Sequence, residues 1–600
     1  MAIYGIILLR RYYTLKLTIT RSKNSVCFYV QKTVRKDGKV TTVTVEKLGN
    51  LDQVKTRAAG RDPYDWAKEY VEELNRKQYD EQREIIISRS PQKLIHKDEQ
   101  QAFNIGYLFL QDIYYELGLD KVCKKIEQKY TFSYDLSDIL SRLVYTRILF
   151  PSSKLSSLRL SRKLLEQPSF ELQDIYRSLS VLAKENDFIQ EQLYKNSQKI
   201  LSRDKEILYY DTTNYYFEIE TQDDFRRYGK SKEHKPNPVV GMGLFMDSDG
   251  IPLACTIFPG SNEKPTMLPL ERKIVQDFGI DKVVVCTDAG LATSSIRKFN
   301  DLQLGGEQIR GFITVQSLKQ IKEDYREWAL ADTGWHLPGS DKEYSLSGLD
   351  EEKDKDKVFY KEQWIMEDIS AKKRDAGVKP LEQRLIVSYS IKYRDYARYI
   401  RKAQIERAEA MIERGDSRKG NWQTDPSRFI AQDAVTKDGE VCDKQIAFLD
   451  TDRISEEEMY DGFYAVCTNL EKQPVSEIIR INRKRWEIEE CFRIMKTDFR
   501  ARPVYLQRQD RIKAHFLTCY IALFIYRILE KKLDEKYTCT QLLDTLREMM
   551  MVKAGDNTGY IPAYTRTDIT DSLHETFGFR TDYEITSNRG MRTVIGKTKK

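Results

Sequence analysis

The 600-residue chain carries 99 basic and 92 acidic residues, a formal charge of +7, with 40% hydrophobic and 32% charged residues. That balance excludes large-scale disorder, leaves room for several domains and a large core, and requires any nucleic-acid surface to come from local clustering of charge. Nine cysteines lie singly from Cys27 to Cys539 without a C-x-x-C pair, and the five histidines are equally isolated, which speaks against a zinc knuckle or a disulfide framework and for a reducing compartment.

At the amino terminus the apolar run Ile6 to Leu9 is followed by Arg10 and Arg11 with no small-residue cleavage pattern, so no signal peptide is expected. From Tyr12 to Leu48 the residues alternate as strands do, and Asp37-Gly38 supplies a two-residue hairpin turn. Asp62-Pro63 then starts a helix with Trp66, Tyr70 and Leu74 on its inner face, and a charged connector completes an opening module over 1–100. Residues 101–205 read as helices: Phe103 to Leu117, Leu136 to Phe150, Lys154 to Leu165, and Glu171 to about Leu201. Arg142, Arg147, Lys154, Arg159, Arg162 and Lys163 recur there, interleaved with Tyr145 and Ser156, as a phosphate-contacting helical domain or as a solvated face.

The pattern changes at Glu206. ILYYDTTNYYFEI, VVGMGLFMD and PLACTIFPG read as three consecutive strands with a turn at Asp249-Gly250, followed by a helix to Phe278, the strand KVVVCTD, a helix from Ser294 and a strand at Gly311 to Val315. This β-β-β-α-β-α-β order over 206–315 predicts an α/β fold whose first and fourth strands are neighbours. Residues 316–460, strand-leaning and charge-rich, with a helix through Ala397 to Arg414, read as an insertion. The second core part, 461–535, begins with DGFYAVCTNL and includes an apolar helix at Ile512 to Leu533. Its longest apolar segment, around Phe516 to Tyr526, is broken by Arg527, short of the roughly 20 residues that cross a bilayer. A sparse, partly basic tail occupies 536–600.

Residues 481–505, INRKRWEIEECFRIMKTDFRARPVY, predict one helix with a polar stripe. At about 100° per residue, Arg485, Glu489 and Lys496 fall within roughly 40° of one another, with Asn482 beside them. Ile488, Cys491, Phe492, Met495 and Phe499 form the adjoining apolar arc. The i, i+4 spacing of Arg485 and Glu489 also fits an ordinary surface ion pair. Asp211 and Asp288 each end a strand-like run, and both positions also fit simple strand-terminating turns. Two carboxylates at adjacent strand ends repel unless a cation lies between them. With Glu489 they would make an oxygen-only set suited to Mg²⁺ or Mn²⁺, as two ions in the sense that in-line phosphodiester displacement uses one metal for each reacting oxygen. Arg485 and Lys496 would hold the substrate backbone. Glu218, Asp223 and Asp224 rank below Asp211 as ligands because they lie beyond the strand run.

The ordered segments DTTNYYFE, SKEHKPNPVVGMGLF with GIPLACTIFPGSNEKPTM, TDAGLAT, DGFYAVCTNL and RKRWEIEECFRIMK resemble the DDE transposases of bacterial insertion sequences, in the branch whose third motif is Y-x2-R-x3-E-x6-K. The resemblance covers about Asp211 to Lys496. It implies a ribonuclease-H-like core, a mixed five-stranded sheet with flanking helices, interrupted by a β-rich insertion. It further implies Asp211, Asp288 and Glu489 as catalytic metal ligands and Arg485 and Lys496 as contacts to terminal DNA. Asn482 stands where the motif has tyrosine, which leaves the phenol's task to another group such as Arg483. Trp486 is either a stacking surface for an unpaired base or a core side chain. The function expected is metal-dependent cleavage at the ends of a mobile element and transfer of the 3′-hydroxyl into target DNA, by a homodimer on double-stranded DNA bearing terminal inverted repeats, in the bacterial cytoplasm and without a membrane. The rivals are a nuclease or resolvase on the same fold, an inactive DNA-binding relative and, more distantly, a carboxylate-pair glycoside hydrolase.

Overall fold

The computed structural model describes residues 15–600 apart from 23–24, 37–38, 82–86, 88–90, 93, 234, 263–264, 281, 292, 368–379, 417, 419, 421–423, 436–440 and 556–557. The Ile6 to Leu9 run and the Asp37-Gly38 turn lie outside the described residues. The chain divides into two units, Met1–Glu99 with Ala554–Thr558 and Gln100–Lys553 with Gly559–Lys600.

In the first unit the alternating pattern forms an antiparallel sheet of β1 (Leu15–Ser22), β2 (Ser25–Lys36) and β3 (Lys39–Asn50). Asn50 ends β3 and caps α1 (Leu51–Ala58) through a reciprocal box with Gln53, which supplies partners for amides that the first helical turn leaves free. Asp62 caps α2 (Pro63–Glu81) by accepting the Tyr64 and Asp65 amides at 2.8 and 3.0 Å. Trp66, Tyr70 and Leu74 then pack on a core of Phe28, Val30, Leu48, Val54, Ala67 and Val71, the inner face expected from their spacing of four.

The second unit opens with β4 (Ala102–Asn104) and six helices, α3 (Tyr107–Glu116), α4 (Leu119–Glu127), α5 (Leu136–Leu149), α6 (Lys154–Ser161), α7 (Leu172–Lys184) and α8 (Asn186–Ser197). The helix expected from Glu171 to Leu201 is two helices, divided at Glu185, and α4 was not expected. The strands and helices that follow are β5 (Ile207–Tyr216), β6 (Val239–Asp247), β7 (Pro252–Pro259), α9 (Met267–Phe278), β8 (Val283–Thr287), α10 (Ser294–Phe299), β9 (Leu302–Leu304) and β10 (Glu307–Val315). Gly250 turns β6 into β7 at φ 76°, a left-handed conformation that glycine adopts without steric cost. Arg203 ties this hairpin to α8: its guanidinium donates to Asp247 at 2.6 Å and to the Ile251 and Pro252 carbonyls.

The segment read as an insertion contains α11 (Glu323–Leu330), β11 (Trp335–His336), β12 (Glu343–Tyr344), β13 (Phe359–Glu367), β14 (Leu381–Tyr389), α12 (Ile391–Glu413), β15 (Ile430–Val435), β16 (Val441–Leu449) and α13 (Thr451–Glu458). It leads to β17 (Phe463–Thr468), α14 (Val475–Arg483), α15 (Trp486–Thr497) and α16 (Gln509–Lys532). The five-stranded sheet expected for the core is instead part of one eleven-stranded sheet, ordered β12-β11-β13-β14-β17-β10-β8-β5-β6-β7, with β9 beside β10. The reason is β17, which pairs antiparallel with β10 on one side and with β14 on the other. It satisfies the edge that β10 would otherwise expose and carries β11 to β14 into the same ladder, while β15 and β16 form a separate two-stranded sheet.

The long apolar helix α16 packs against α3, α5 and α7 and against β7, so the amino-terminal helices and the sheet share a core. Its length and apolarity would suffice to cross a membrane, but 94% of its most apolar window is buried within this unit. The chain end, expected as a sparse tail, folds into α17 (Cys539–Glu548), β18 (Met550–Gly555), β19 (Gly559–Pro562), α18 (Asp568–Phe577) and α19 (Asn588–Lys597). Thr538 with Gln541 and Thr567 with Thr570 form capping boxes for α17 and α18, and β18 pairs with β4 at the start of the unit.

Candidate active site

Parallel pairing of β5 with β8 sets Ile207 opposite Val284, Leu208 opposite Val285 and Tyr209 opposite Cys286. Two residues further along each strand stand Asp211 and Asp288, so the same register brings both carboxylates to one face where the ladder ends. Asp288 follows the last residue of β8, whereas β5 continues to Tyr216 along β6. Asp211 is therefore within a strand and not at its end as expected. The loss of β8 as a neighbour, and not a turn, ends the ladder there, at the carboxyl ends of the parallel strands.

The two aspartates differ in setting. Asp211 is 8% exposed and accepts the Thr212 amide at 2.7 Å. Burial pushes its carboxyl up to about 6, and the nearby Asp288 charge adds to that rise, while Lys232, the Thr212 amide and Arg485 pull the other way. Asp288 is half-buried and accepts the Leu291 amide at 3.0 Å in the turn after β8. Among the described residues neither carboxylate has an ion-pair partner within 4.0 Å.

The single helix expected over 481–505 is instead the end of α14, then α15, which stops at Thr497, so residues 498–505 are not helical. Between α14 and α15, Lys484 and Arg485 keep right-handed helical dihedrals, but the Arg485, Glu487 and Ile488 amides bond to Asn482, Lys484 and Arg485 carbonyls, three residues back. This tighter turn shifts the phase of the stripe between the two halves. Arg485 still reaches Glu489, Nη2 to Oε1 3.5 Å, with the glutamate side chain 61% exposed. Asp211, Asp288 and Glu489 do not bring their oxygens mutually within 4.8 Å; among the described residues, Asp571, His574 and Asp582 are the group that does. Arg485, whose charge acts on Asp211 and whose guanidinium meets Glu489, links those two.

The remaining expected residues separate clearly. Lys496 is mostly buried, 3.5 Å from Glu233 and over the Tyr215 ring, and the cost of burying its charge lowers its pKa. Asn482 is buried, donating to the Tyr464 hydroxyl at 3.1 Å and accepting from the Cys286 thiol. Trp486 is 60% exposed, which rules out the core reading of that side chain, and Arg483 is also exposed. Asn482, Arg483, Arg485, Trp486 and Glu489 line one cleft of about 580 Å³ with Tyr393, Tyr396 and Tyr464. The lower-ranked acid Asp223 is engaged by Arg226 and held below the ordinary carboxylate value by that pairing and by backbone amides.

Three side chains beside the aspartates were not singled out from the sequence. Lys232 donates to the Thr212 carbonyl, Glu233 joins Lys496 to Arg502, and Tyr464 meets Asn482. The first two lie in the SKEHKPNP segment already noted, in a loop fastened to β5 by Asn214, which donates to the Lys230 carbonyl and accepts the Lys232 amide. Tyr464 lies in DGFYAVCTNL, on β17.

The chain is thus an α/β protein with an acidic pair, Asp211 and Asp288, set beside the charges of Lys232 and Arg485. A model of the transposase DDE domain family matches residues 204–525, more than half of the chain, and the chain belongs to that family. Among curated proteins nothing matches it. The membership supports a transposase-type function.

Proposed function

We propose that the protein is a DNA transposase that cleaves DNA at the ends of a mobile element and joins the freed 3′-hydroxyl to target DNA. The observation that carries this reading is the shared register of Asp211 and Asp288 at the end of the β5–β8 ladder, within reach of the Lys232 and Arg485 charges. The strand order β7-β6-β5-β8-β10 agrees with a ribonuclease-H-like core.

The donor set fits divalent cations: it offers carboxylate oxygens only, and a buried aspartate whose pKa is raised first by burial and further by the second carboxylate beside it. Asp211 and Asp288 would hold Mg²⁺ or Mn²⁺, with Glu489 turning from Arg485 to complete the set. When bound, such ions lower the pKa of an attacking water or hydroxyl and offset charge on the leaving oxygen. Arg485 and Lys232 orient the phosphodiester. In cleavage a water oxygen bonds to phosphorus as the bond to the 3′-oxygen breaks, which leaves a 3′-hydroxyl and a 5′-phosphate. In joining, that 3′-hydroxyl loses its proton, bonds to a target phosphorus and displaces the target strand's own 3′-oxygen.

Asn482 takes the tyrosine position of the Y-x2-R-x3-E-x6-K motif, and its bond to Tyr464 brings a phenol from β17 to the same cleft. We assign that hydroxyl the polar contact that the motif tyrosine would make. The DNA is double-stranded with inverted terminal repeats, the working form is a homodimer that holds two ends, and the site of action is the bacterial cytoplasm. A strand-transfer assay tests the reading: with Mg²⁺ and pre-cleaved end DNA, joined product is expected. DNA cut without any joined product would make the protein a nuclease instead.

A further inference from the structure

Beneath the basic helical segment lies a cavity of about 570 Å³, lined by α5 and α6, by α16 and by the chain that follows α15. Its charged lining is Arg147, Lys154, Arg500 and Arg502, with no acidic side chain among them; Ser152, Ser153 and Ser156 add hydroxyls and His515 an imidazole. Arg147 is already committed, donating to the carbonyls of Phe499, Arg500 and Ser152 at 3.0 to 3.1 Å. Arg502 faces away in part, toward Glu233 at 2.7 Å.

Lys154 is the anomaly. It is 5% exposed, and among the described residues its ammonium has no hydrogen-bond partner. An isolated buried ammonium is strongly disfavoured, and its position makes matters worse. Lys154 is the first residue of α6 after the cap Ser153, where the free amides and helix dipole favour an anion, and the first turn of α6 contains no acid. Arg147 adds further positive potential, and together with burial it holds Lys154 down to about 7 and His515 well below its ordinary value. A cation at a helix amino terminus, beside three arginines, is explained if an anion completes the group.

We propose that this cavity is a phosphate site, occupied by a backbone phosphate of the DNA strand that leaves the Asp211–Asp288 pair. Charge complementarity and continuity both support that occupant. Arg502 lines the cavity and meets Glu233, which also meets Lys496 on α15; the next residue of the same loop, Lys232, reaches the Thr212 carbonyl beside Asp211. A basic path therefore runs from the acidic pair to Lys154. At the cavity's mouth Tyr505 and Leu155, 70% and 48% exposed, offer apolar surface to the sugar next to that phosphate. The DNA occupant rests on the transposase reading; the phosphate chemistry of the cavity does not.

The test is equilibrium binding by the full chain in chelator, so that cleavage plays no part. Inorganic phosphate is titrated by calorimetry, and a labelled duplex by anisotropy over a range of salt. Lys154→Met keeps the stem and removes the charge, and Arg500→Ala, at an exposed side chain, serves if the first variant does not fold. For each variant the expected result is about tenfold weaker binding of phosphate and of duplex, with the salt slope for the duplex reduced by about one. Variants that fold and bind both probes like the parent overturn the site. Loss of phosphate binding with duplex affinity unchanged overturns the DNA occupant. A parent that binds both probes through Lys154 yet never joins DNA leaves this site standing and removes the transposase reading instead.

Discussion

Two acidic groups in the larger unit have opposite electrostatic settings. Asp571 and Asp582, with His574, bring their ligating atoms within 4.8 Å, so by distance alone they are the better metal site. Yet Arg580 lies 2.6 Å from both carboxylates and Arg566 2.8 Å from Asp571, and these guanidiniums hold both aspartates below their ordinary values. Among the described residues Asp211 and Asp288 have no such partner, and burial raises Asp211 to about 6. The lesson is that proximity alone does not mark a site. Around Asp571 the fold supplies its own cations, while around Asp211 it leaves negative charge for a ligand to neutralise.

Substitution should separate the two groups most sharply in activity. Asp211→Asn and Asp288→Asn are each expected to lower Mg²⁺-dependent DNA cleavage by at least about 10³-fold, since each removes a charge from the reacting centre, while Asp571→Asn leaves it unchanged. Arg485→Ala is expected to cost about 10- to 100-fold in the same assay, because it removes one charged contact and not the centre itself.

Stability should show the reverse ranking. Asp582→Ala strips Arg580 of a mostly buried partner and is expected to lower unfolding free energy by about 1–3 kcal/mol in a denaturant titration. The Asp582 contribution is fully present above the ordinary carboxylate range and is lost as pH falls through its depressed folded value, so the variant should flatten the acid limb. Glu271 sharpens the contrast as a buried acid that, among the described residues, has no cation in contact and one oxygen without a partner: the other oxygen accepts from Asn300 at 3.2 Å, and burial raises the carboxyl from 4.5 to about 7. Between those values the folded protein keeps a proton that the unfolded chain has released, so stability falls as pH rises across the window. Glu271→Gln should remove that slope and be about 1–2 kcal/mol more stable than the parent at pH 8, measured by the same titration.

Much of the acidic pair's position was legible because strand order is a local pattern. Alternating and apolar runs locate β5 and β8, and a single crossover helix makes them parallel neighbours. What escaped depends on contacts distant in sequence. The course of β5 past Asp211 is set by its pairing with β6, and Tyr464 reaches Asn482 only because β17 enters the sheet beside β10. The break at Lys484–Arg485 is hidden for a different reason: the dihedrals stay helical and only the hydrogen bonds shorten by one residue. At the chain end, Thr538 with Gln541 was a readable capping signal, but the partners that fold this segment, among them β4, lie more than four hundred residues earlier.

The contrast between the acidic groups is tested most directly by Mn²⁺ titration of the parent, Asp211→Asn, Asp288→Asn and Asp571→Asn, followed by the loss of the free-ion paramagnetic resonance signal. Binding should vanish or fall sharply in the first two variants and persist in the third. Mn²⁺ binding that survives both Asp211→Asn and Asp288→Asn but disappears with Asp571→Asn would contradict the assignment of the metal centre to the carboxyl end of the β5–β8 ladder.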